Sequence, residues 1–345
     1  VFTQLNKVTE KLFHPADSPL LRHLEDDGQT VEPEFYVPVL PMLLVNGAHG
    51  IGTGWSTSIP SFNPSDILKR IRQLLDGRTP TRMTPWYHGF KGTVQPVSAS
   101  RFTVRGVWQW TSASTLHITE LPVGTWTNTY KEMLERGLEG DSLFKRGDIV
   151  ELKSNYTDTT VSFTVKLSSA CAAKLRGSED LLVKTFRLQK TVDLGNMHAF
   201  DPAGKIRLFR DELEILQVFF ETRLALYAKR KASQLAGMAE ALSVAQQKSQ
   251  FIQAIVRGDL VLTNRTKADL ESELQRRGFV HKELLHMPLW SLTAEKAAAA
   301  RHDCETLQVD MACLQSMTPQ SLWRVDLKVV EEALGLVQKR ARSMA

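Results

Sequence analysis

Cysteine is scarce in this chain, three in 345 residues, and Cys171, Cys304 and Cys313 are odd in number and far from any metal-ligand spacing. Neither a disulfide framework nor a zinc cage organises such a sequence; three structural thiols in a reducing, intracellular compartment are the expectation. No run of about 20 apolar residues occurs, and the stretch from Val37 to Val45 is short and broken by prolines, so no membrane span is expected. The nine histidines are scattered, without His-Glu-x-x-His, a Cys-x-x-Cys pair or Asp-x-Asp, and the sequence offers no path to a hydrolase or redox enzyme. Asp26-Asp27 before Gly28 reads as a solvated turn rather than a cation site. A strong charge of one sign is lacking too. The net charge of +5 and sequence pI near 9.0 permit a polyanionic partner without demanding one.

What is present organises the chain into several parts. Its length exceeds the usual single domain, so two or three structural units are expected. The first sixty residues are loop-rich, with prolines at 15, 19, 33, 38 and 41 and glycines at 47, 50, 52 and 54. Asn63-Pro64 then caps a helix whose Ile67, Ile71, Leu74 and Leu75 share one face, and Gly77 ends it. From about Gly89 to Leu167 the period becomes two. Val161, Phe163, Val165 and Leu167 give the clearest strand, with others near Phe102 to Val107, Leu116 to Ile118 and Ile149 to Leu152.

Beyond Asp201-Pro202 the character changes again. Residues 211 to 256 hold no proline and one glycine, Gly237, and apolar residues recur at steps of three and four: Leu213, Leu216 and Phe220, then Leu235, Met238, Leu242 and Ala245. One helix of this length runs roughly 69 Å at 1.5 Å per residue, and it needs a partner for its apolar stripe. Ala297, Ala300, Cys304, Leu307, Met311 and Leu314 supply one, and Leu322, Val325, Val329, Ala333 and Leu336 repeat the cue after Thr318-Pro319. An antiparallel coiled-coil arm is the economical arrangement. Its tip falls in residues 258–292, where Thr266 caps a short helix stopped by Gly278. The cluster Leu284, Leu285, Met287, Leu289 and Trp290 there is either a small core or a dimer contact.

The run Gly50-Ile51-Gly52-Thr53-Gly54 lacks the lysine of a phosphate-binding loop. Its glycines let backbone approach another surface closely and leave Ile51 without shielding neighbours. Two readings follow: an isoleucine buried in a tight loop, or a wedge entering between DNA base pairs.

The stretch Val31-Glu32-Pro33-Glu34-Phe35-Tyr36-Val37-Pro38-Val39-Leu40-Pro41, running on through Asn46-Gly47-Ala48-His49-Gly50-Ile51-Gly52-Thr53-Gly54-Trp55-Ser56, closely resembles a signature of eukaryotic type IIA DNA topoisomerases. Further matches follow in order: Phe90-Lys91-Gly92-Thr93; Glu120-Leu121-Pro122 through Trp126-Thr127, with Tyr130-Lys131; Tyr156 to Val161; Phe186-Arg187-Leu188-Gln189; Arg276 to Phe279; and Met287 to Thr293. The resemblance covers nearly the whole chain. It implies that Ile51, flanked by Gly50 and Gly52, intercalates and bends gate DNA, and that Trp126 contacts DNA. It also implies that Arg187, Leu188, Gln189, Lys190, Thr191, Val192, Asp193, Leu194, Gly195 and Asn196 lie along the DNA backbone. Arg187 and Lys190 can neutralise phosphate there, whereas Asp193 cannot. Val1-Phe2-Thr3 resembles the sequence directly after the family's strand-cleaving tyrosine, so the nucleophile is expected immediately before Val1. His49 stands where the family often has an acid, and Gly124 where arginine is common.

The fold class so implied is α+β and multidomain: the end of a winged-helix gate module (residues 1–60), an α/β tower (61–205), the outgoing helix of an antiparallel coiled-coil arm (206–257), a small helical exit gate at its tip (258–292) and returning helices (293–345). By resemblance the complete enzyme uses Mg2+ and ATP, neither held by this chain, and acts on double-stranded DNA as a homodimer joined at the exit gate. It would work in the nucleus, with the mitochondrion as an alternative, and the chain alone would cleave nothing. Two rival readings are a coiled-coil structural protein with an N-terminal docking module and a bacterial-type gyrase or topoisomerase IV subunit.

Overall fold

The computed structural model describes residues 3–261, 265–279, 287–288 and 292–344. They fall into two compact units, one of residues 40–221 and one of residues 1–39 with 222–345.

In the first unit the helix Pro64–Leu75 begins as its sequence dictates: the Asn63 side chain accepts from the Ser65 N–H at 2.9 Å, and Gly77 follows at φ +71°. Ile67, Leu68 and Ile71 form its buried face. An antiparallel four-stranded sheet follows, in the spatial order Val107–Trp110, Thr115–Glu120, Phe163–Leu167, Ile149–Ser154. Phe163, Val165 and Leu167 are buried at alternate positions, against Tyr130, Met133 and Leu134 of the helix Thr127–Glu139 and against Leu182, Val183 and Phe186. Each such side chain contributes about 1.5–3 kcal/mol on leaving water. The strand expected to run from Phe102 through Val107 is in fact two, Arg101–Arg105 and Val107–Trp110. Gly106 parts them: its N–H donates to Leu188 O, and a Cβ there would lie 2.2 Å from Glu120 O.

A three-stranded sheet, ordered Gln189–Asp193, Arg101–Arg105, Thr93–Ser98, and two hairpins complete this unit. One hairpin pairs Met197–Phe200 with Ile206–Phe209; the other pairs Ala48–Gly52 with Trp55–Ile59. The glycine-rich segment, expected as loop, is therefore strand on both sides of a turn. Gly47 launches it at φ +70°, where a Cβ would sit 2.7 Å from Ile59 O. Gly47→Ala is expected to destabilise this unit by at least about 1–3 kcal/mol from backbone strain alone, measured as a lowered urea midpoint.

In the second unit the helix Glu212–Val256, 45 residues long, lies from residue 222 onward antiparallel to Ala294–Ser316. Lys231 Nζ donates to Gln315 O and Met317 O at 2.9 and 2.6 Å, while Ile252 packs with Ala297 and Ala300. Partner numbers thus fall as the long helix advances. The expected stripe on the returning helix faces inward, with Ala297, Ala300 and Cys304 buried and Leu307, Met311 and Leu314 half-buried. The helix Pro319–Met344 is turned differently from its sequence reading. Val325 and Val329 are 51% and 40% exposed, and the buried face carries Leu322, Trp323, Leu327 and Val330. Trp323 fixes that rotation: it is the larger body to bury, it stacks on Tyr227, and its indole N–H donates to Val39 O at 3.2 Å.

Phe251, Leu260 and Leu274 form a small core with Phe279, Met287 and Leu292 against it. Of the apolar cluster expected here, Leu284, Leu285, Leu289 and Trp290 lie outside the described residues. Thr266 caps the helix Lys267–Arg276, accepting from Asp269 N–H, and Gly278 at φ +83° ends it.

A buried charge cluster joins the N-terminal segment to these helices. Asp17 accepts from Arg223 at 2.8 Å; Asp326 accepts from Arg230 at 2.9 Å and from the Tyr227 hydroxyl at 2.7 Å. Both guanidinium groups stack on the Tyr227 ring, 4.3 and 4.9 Å from its centroid. His14 lies beside the cluster, and its Nδ1 accepts from Ala16 N–H at 3.1 Å, so that nitrogen carries no proton. Burial, followed by the charge of Arg230, pushes the His14 pKa below the ordinary 6.5. A histidine so lowered lends stability above its unfolded value and loses it as pH falls through the folded one. The urea midpoint of the unit is therefore expected to drop as pH falls below the ordinary histidine value, and His14→Gln to flatten that fall.

Candidate nucleic-acid interface

The hairpin of Ala48–Gly52 and Trp55–Ile59 turns through Thr53-Gly54, Gly54 taking the positive φ (+78°) that the second turn position asks for. Side chains alternate across a strand, so Gly50 and Gly52 share the pleat face opposite Ile51 and leave it bare on both sides. Ile51 is 92% exposed, which forgoes the stabilisation that burying an isoleucine supplies. Neither flanking glycine has positive φ. A Cβ at Gly50 would meet nothing within 4 Å, and at Gly52 only Trp55 O at 3.9 Å. The fold itself does not need glycine at either position. Of the two readings open for Ile51, burial in its own loop is excluded.

Behind the tip the hairpin is braced. Asn196 O accepts from Ser58 N–H at 2.7 Å, Asn196 Nδ2 donates to Ser56 Oγ at 2.9 Å, and Thr57 Oγ1 donates to His198 O at 2.7 Å. The Asn196 side-chain oxygen also meets His198 Nδ1 at 2.8 Å, and the His198 ring lies edge-on to Trp55. Asn196 closes the segment expected along DNA, so the structure links that segment to the wedge hairpin directly.

The segment itself divides. Leu188 and Leu194 are buried at 0% and 1% exposure and anchor the strand Gln189–Asp193 from either end, their side chains facing the core. Gln189, Lys190, Thr191 and Asp193 are exposed and Val192 is half-buried. Asp193 is engaged by Arg101 at 3.3 Å and by Gly195 N–H at 2.7 Å. Arg187 holds φ +47° at the corner before the strand.

Beside it, Trp126, 80% exposed, stands at the head of the helix Thr127–Glu139. A cavity of about 740 Å³ is lined by Trp126, Arg136, Asp180, Lys184, Arg187 and Lys190, among others. Four cations and one acid make it strongly positive. Arg136 and Lys184 come from separate helices, and only the tertiary fold brings them here. Lys190 Nζ donates to Gly124 O at 3.2 Å and stands 2.8 Å from where a Cβ on Gly124 would lie. Lysine thus fills the space at the glycine, whose φ of +78° disfavours any larger residue.

The five tyrosines are all among the described residues. Burial pushes the Tyr130 and Tyr227 phenols far up, and their hydroxyls donate to Phe186 O and Asp326. Burial raises Tyr87 as well. The Tyr156 hydroxyl donates to Asn128, and Tyr36 packs edge-on to Phe13. Among the described residues no three His, Cys, Asp or Glu side chains converge on a position able to hold a metal, and no helix is long and apolar enough to cross a membrane. Cys171, Cys304 and Cys313 are free thiols.

An exposed aliphatic tip, a braced hairpin and a basic cleft lie on one compact unit. The family model for the A subunit of DNA gyrase/topoisomerase IV matches residues 1–328, and the chain belongs to that family. Its relatives carry the name DNA topoisomerase 2: the Candida albicans protein is 41% identical over 81% of this chain and 19% of its own length, and the Saccharomyces cerevisiae protein 33% identical over 96% and 27%. DNA topoisomerase 2-alpha of Mus musculus is 33% identical over 99% of this chain and 25% of its own. The chain therefore spans about a fifth to a quarter of the length of these relatives. The solved DNA-binding, cleavage and re-ligation domain of Plasmodium falciparum topoisomerase II matches 99% of this chain and 50% of that one, with a TM-score of 0.89 and 32% identity.

Proposed function

We propose that this chain is the DNA-gate part of a type II DNA topoisomerase: it bends and holds the duplex that the complete enzyme cuts, and joins two subunits while that duplex is open. The observation that carries the reading is Ile51, 92% exposed between two glycines its own fold does not require. Inserted between base pairs, it unstacks one step at a cost of a few kcal/mol, offset by the contacts a bent duplex makes along a basic surface. Lys190, Arg187 and Trp126 supply that surface.

In this reading residues 1–60 end a winged-helix gate module, residues 61–205 form the tower, and the antiparallel helices form an arm whose tip, around residues 258–292, is the homodimeric exit gate. Mg2+ and ATP are held, in this reading, by other parts of the complete nuclear enzyme. The strand-cleaving tyrosine is, on the same reading, none of the chain's five, and the chain alone relaxes no supercoils. The test is end-to-end energy transfer on a short doubly labelled duplex, titrated with chain at several salt concentrations. Salt-dependent binding with bending, lost in Ile51→Ala, is expected; a duplex bound straight by the parent chain refutes the proposal, as does relaxation by the purified chain for its catalytic part.

A further inference from the structure

The hairpin of Met197–Phe200 and Ile206–Phe209 has its faces filled in an unusual way. Phe200 pairs with Ile206 and His198 with Leu208, so these four share one face; Met197 and Phe209, a pair on the other, are buried at 0% and 3%. An antiparallel hairpin with one face on the core ordinarily sets polar residues on the other. Here the outer face carries Phe200, Leu208 and Ile206 at 70%, 51% and 36% exposure. Ile51, Trp55, His198, Phe200 and Ile206 line a single cavity of about 580 Å³. The apolar face is thus continuous with the wedge, and the hydrogen bonds from Ser58 and Thr57 to Asn196 and His198 hold the two hairpins in fixed relation.

We propose that this face, with Phe200 foremost, is a second apolar contact to duplex DNA, seated on the sugar faces of the minor groove beside the step that Ile51 opens. The inference rests on the wedge reading of Ile51. DNA is the occupant the surroundings favour. The cavity runs into the wedge itself, the adjoining turn presents the exposed Lys205, and the strand leading into the hairpin presents Lys190. Apolar side chains held against an unstacked, widened minor groove are a recurrent means of keeping a bend in place. His198 acts as a positioning residue through its contacts to Trp55 and Asn196.

Phe200→Ala, Phe200→Leu and Ile51→Ala in this same chain separate the possibilities, read by affinity and energy transfer on the labelled duplex across a salt series. Phe200 is mostly solvent-exposed, so its variants should fold, and urea midpoints equal to the parent's confirm it. Phe200→Ala is expected to bind about fivefold to tenfold more weakly and to bend less, with an unchanged salt slope because no phosphate contact is lost. Phe200→Leu is expected to restore most of the loss. If Ile51→Ala reduces bending while Phe200→Ala matches the parent, the second contact is refuted and the wedge stands. If neither variant differs from the parent, or the parent leaves the duplex straight, both fail. Concentration-dependent self-association abolished by Phe200→Ala, with DNA binding intact, would make the face a contact between copies and overturn the proposal.

Discussion

Asp326→Ala is expected to lower the unfolding free energy of the unit containing the long helix by about 3–5 kcal/mol, measured by urea denaturation. The carboxylate accepts from Arg230 and Tyr227 and lies 4.0 Å from a nitrogen of Arg223. Arg223 and Arg230 are 0% and 4% exposed and cannot swing out to water when the partner goes. Two guanidinium charges would then face Asp17 alone, one of them with its close partner gone. A loss of this size is a large share of the roughly 5–15 kcal/mol that holds a domain folded. Tyr227→Phe, which removes one hydroxyl and keeps the stacked ring, should cost only about 1 kcal/mol. A small loss for Asp326→Ala would mean that water reaches the cluster.

Ile51→Ala is expected to change almost nothing in stability and nearly everything in DNA bending. An isoleucine this exposed contributes little to its own domain, so the urea midpoint should stay within about 0.5 kcal/mol of the parent. Opening a base step costs a few kcal/mol, and without an inserted side chain the bend is no longer held. The companion variant Gly50→Ala sharpens the test. Alanine fits the unstrained φ there and meets no neighbour, so stability should hold or rise by about 0.4–1 kcal/mol. Bending should be kept as well, because the added methyl stands on the pleat face opposite Ile51. Lost bending by Gly50→Ala would show that the glycine face meets the duplex too.

Much of the architecture was legible in the sequence, since it depended on local rules. The Asn63 and Thr266 caps, the helix from residue 211 to 256 and the stripe from Ala297 to Leu314 were set by spacing and capping chemistry. The terminal helix was read with its face displaced, because Val325 and Val329 kept the apolar period while Trp323 and Asp326 had tertiary partners the pattern could not show. The charge cluster was missed for a similar reason. Leu213, Leu216 and Phe220 continue at the same steps through Arg223, Tyr227 and Arg230, and charged residues continuing an apolar stripe were the available signal. At the interface, residue type singled out Ile51 without deciding between burial and exposure. Arg136, Lys184 and Phe200 carried no local mark. Leu188 and Leu194 show the converse: a segment assigned as a whole contains residues whose task is to hold it in place.

The strand Gln189–Asp193 pairs with Arg101–Arg105 on one side and forms an edge of its sheet. An open edge is a template onto which any extended chain can add, and charged side chains, lysine above all, are what discourage it. Lys190 is therefore also a guard against aggregation. Variants that neutralise it to weaken DNA binding risk producing chains that stick to one another, and their lost affinity is interpretable only beside a measured molecular mass.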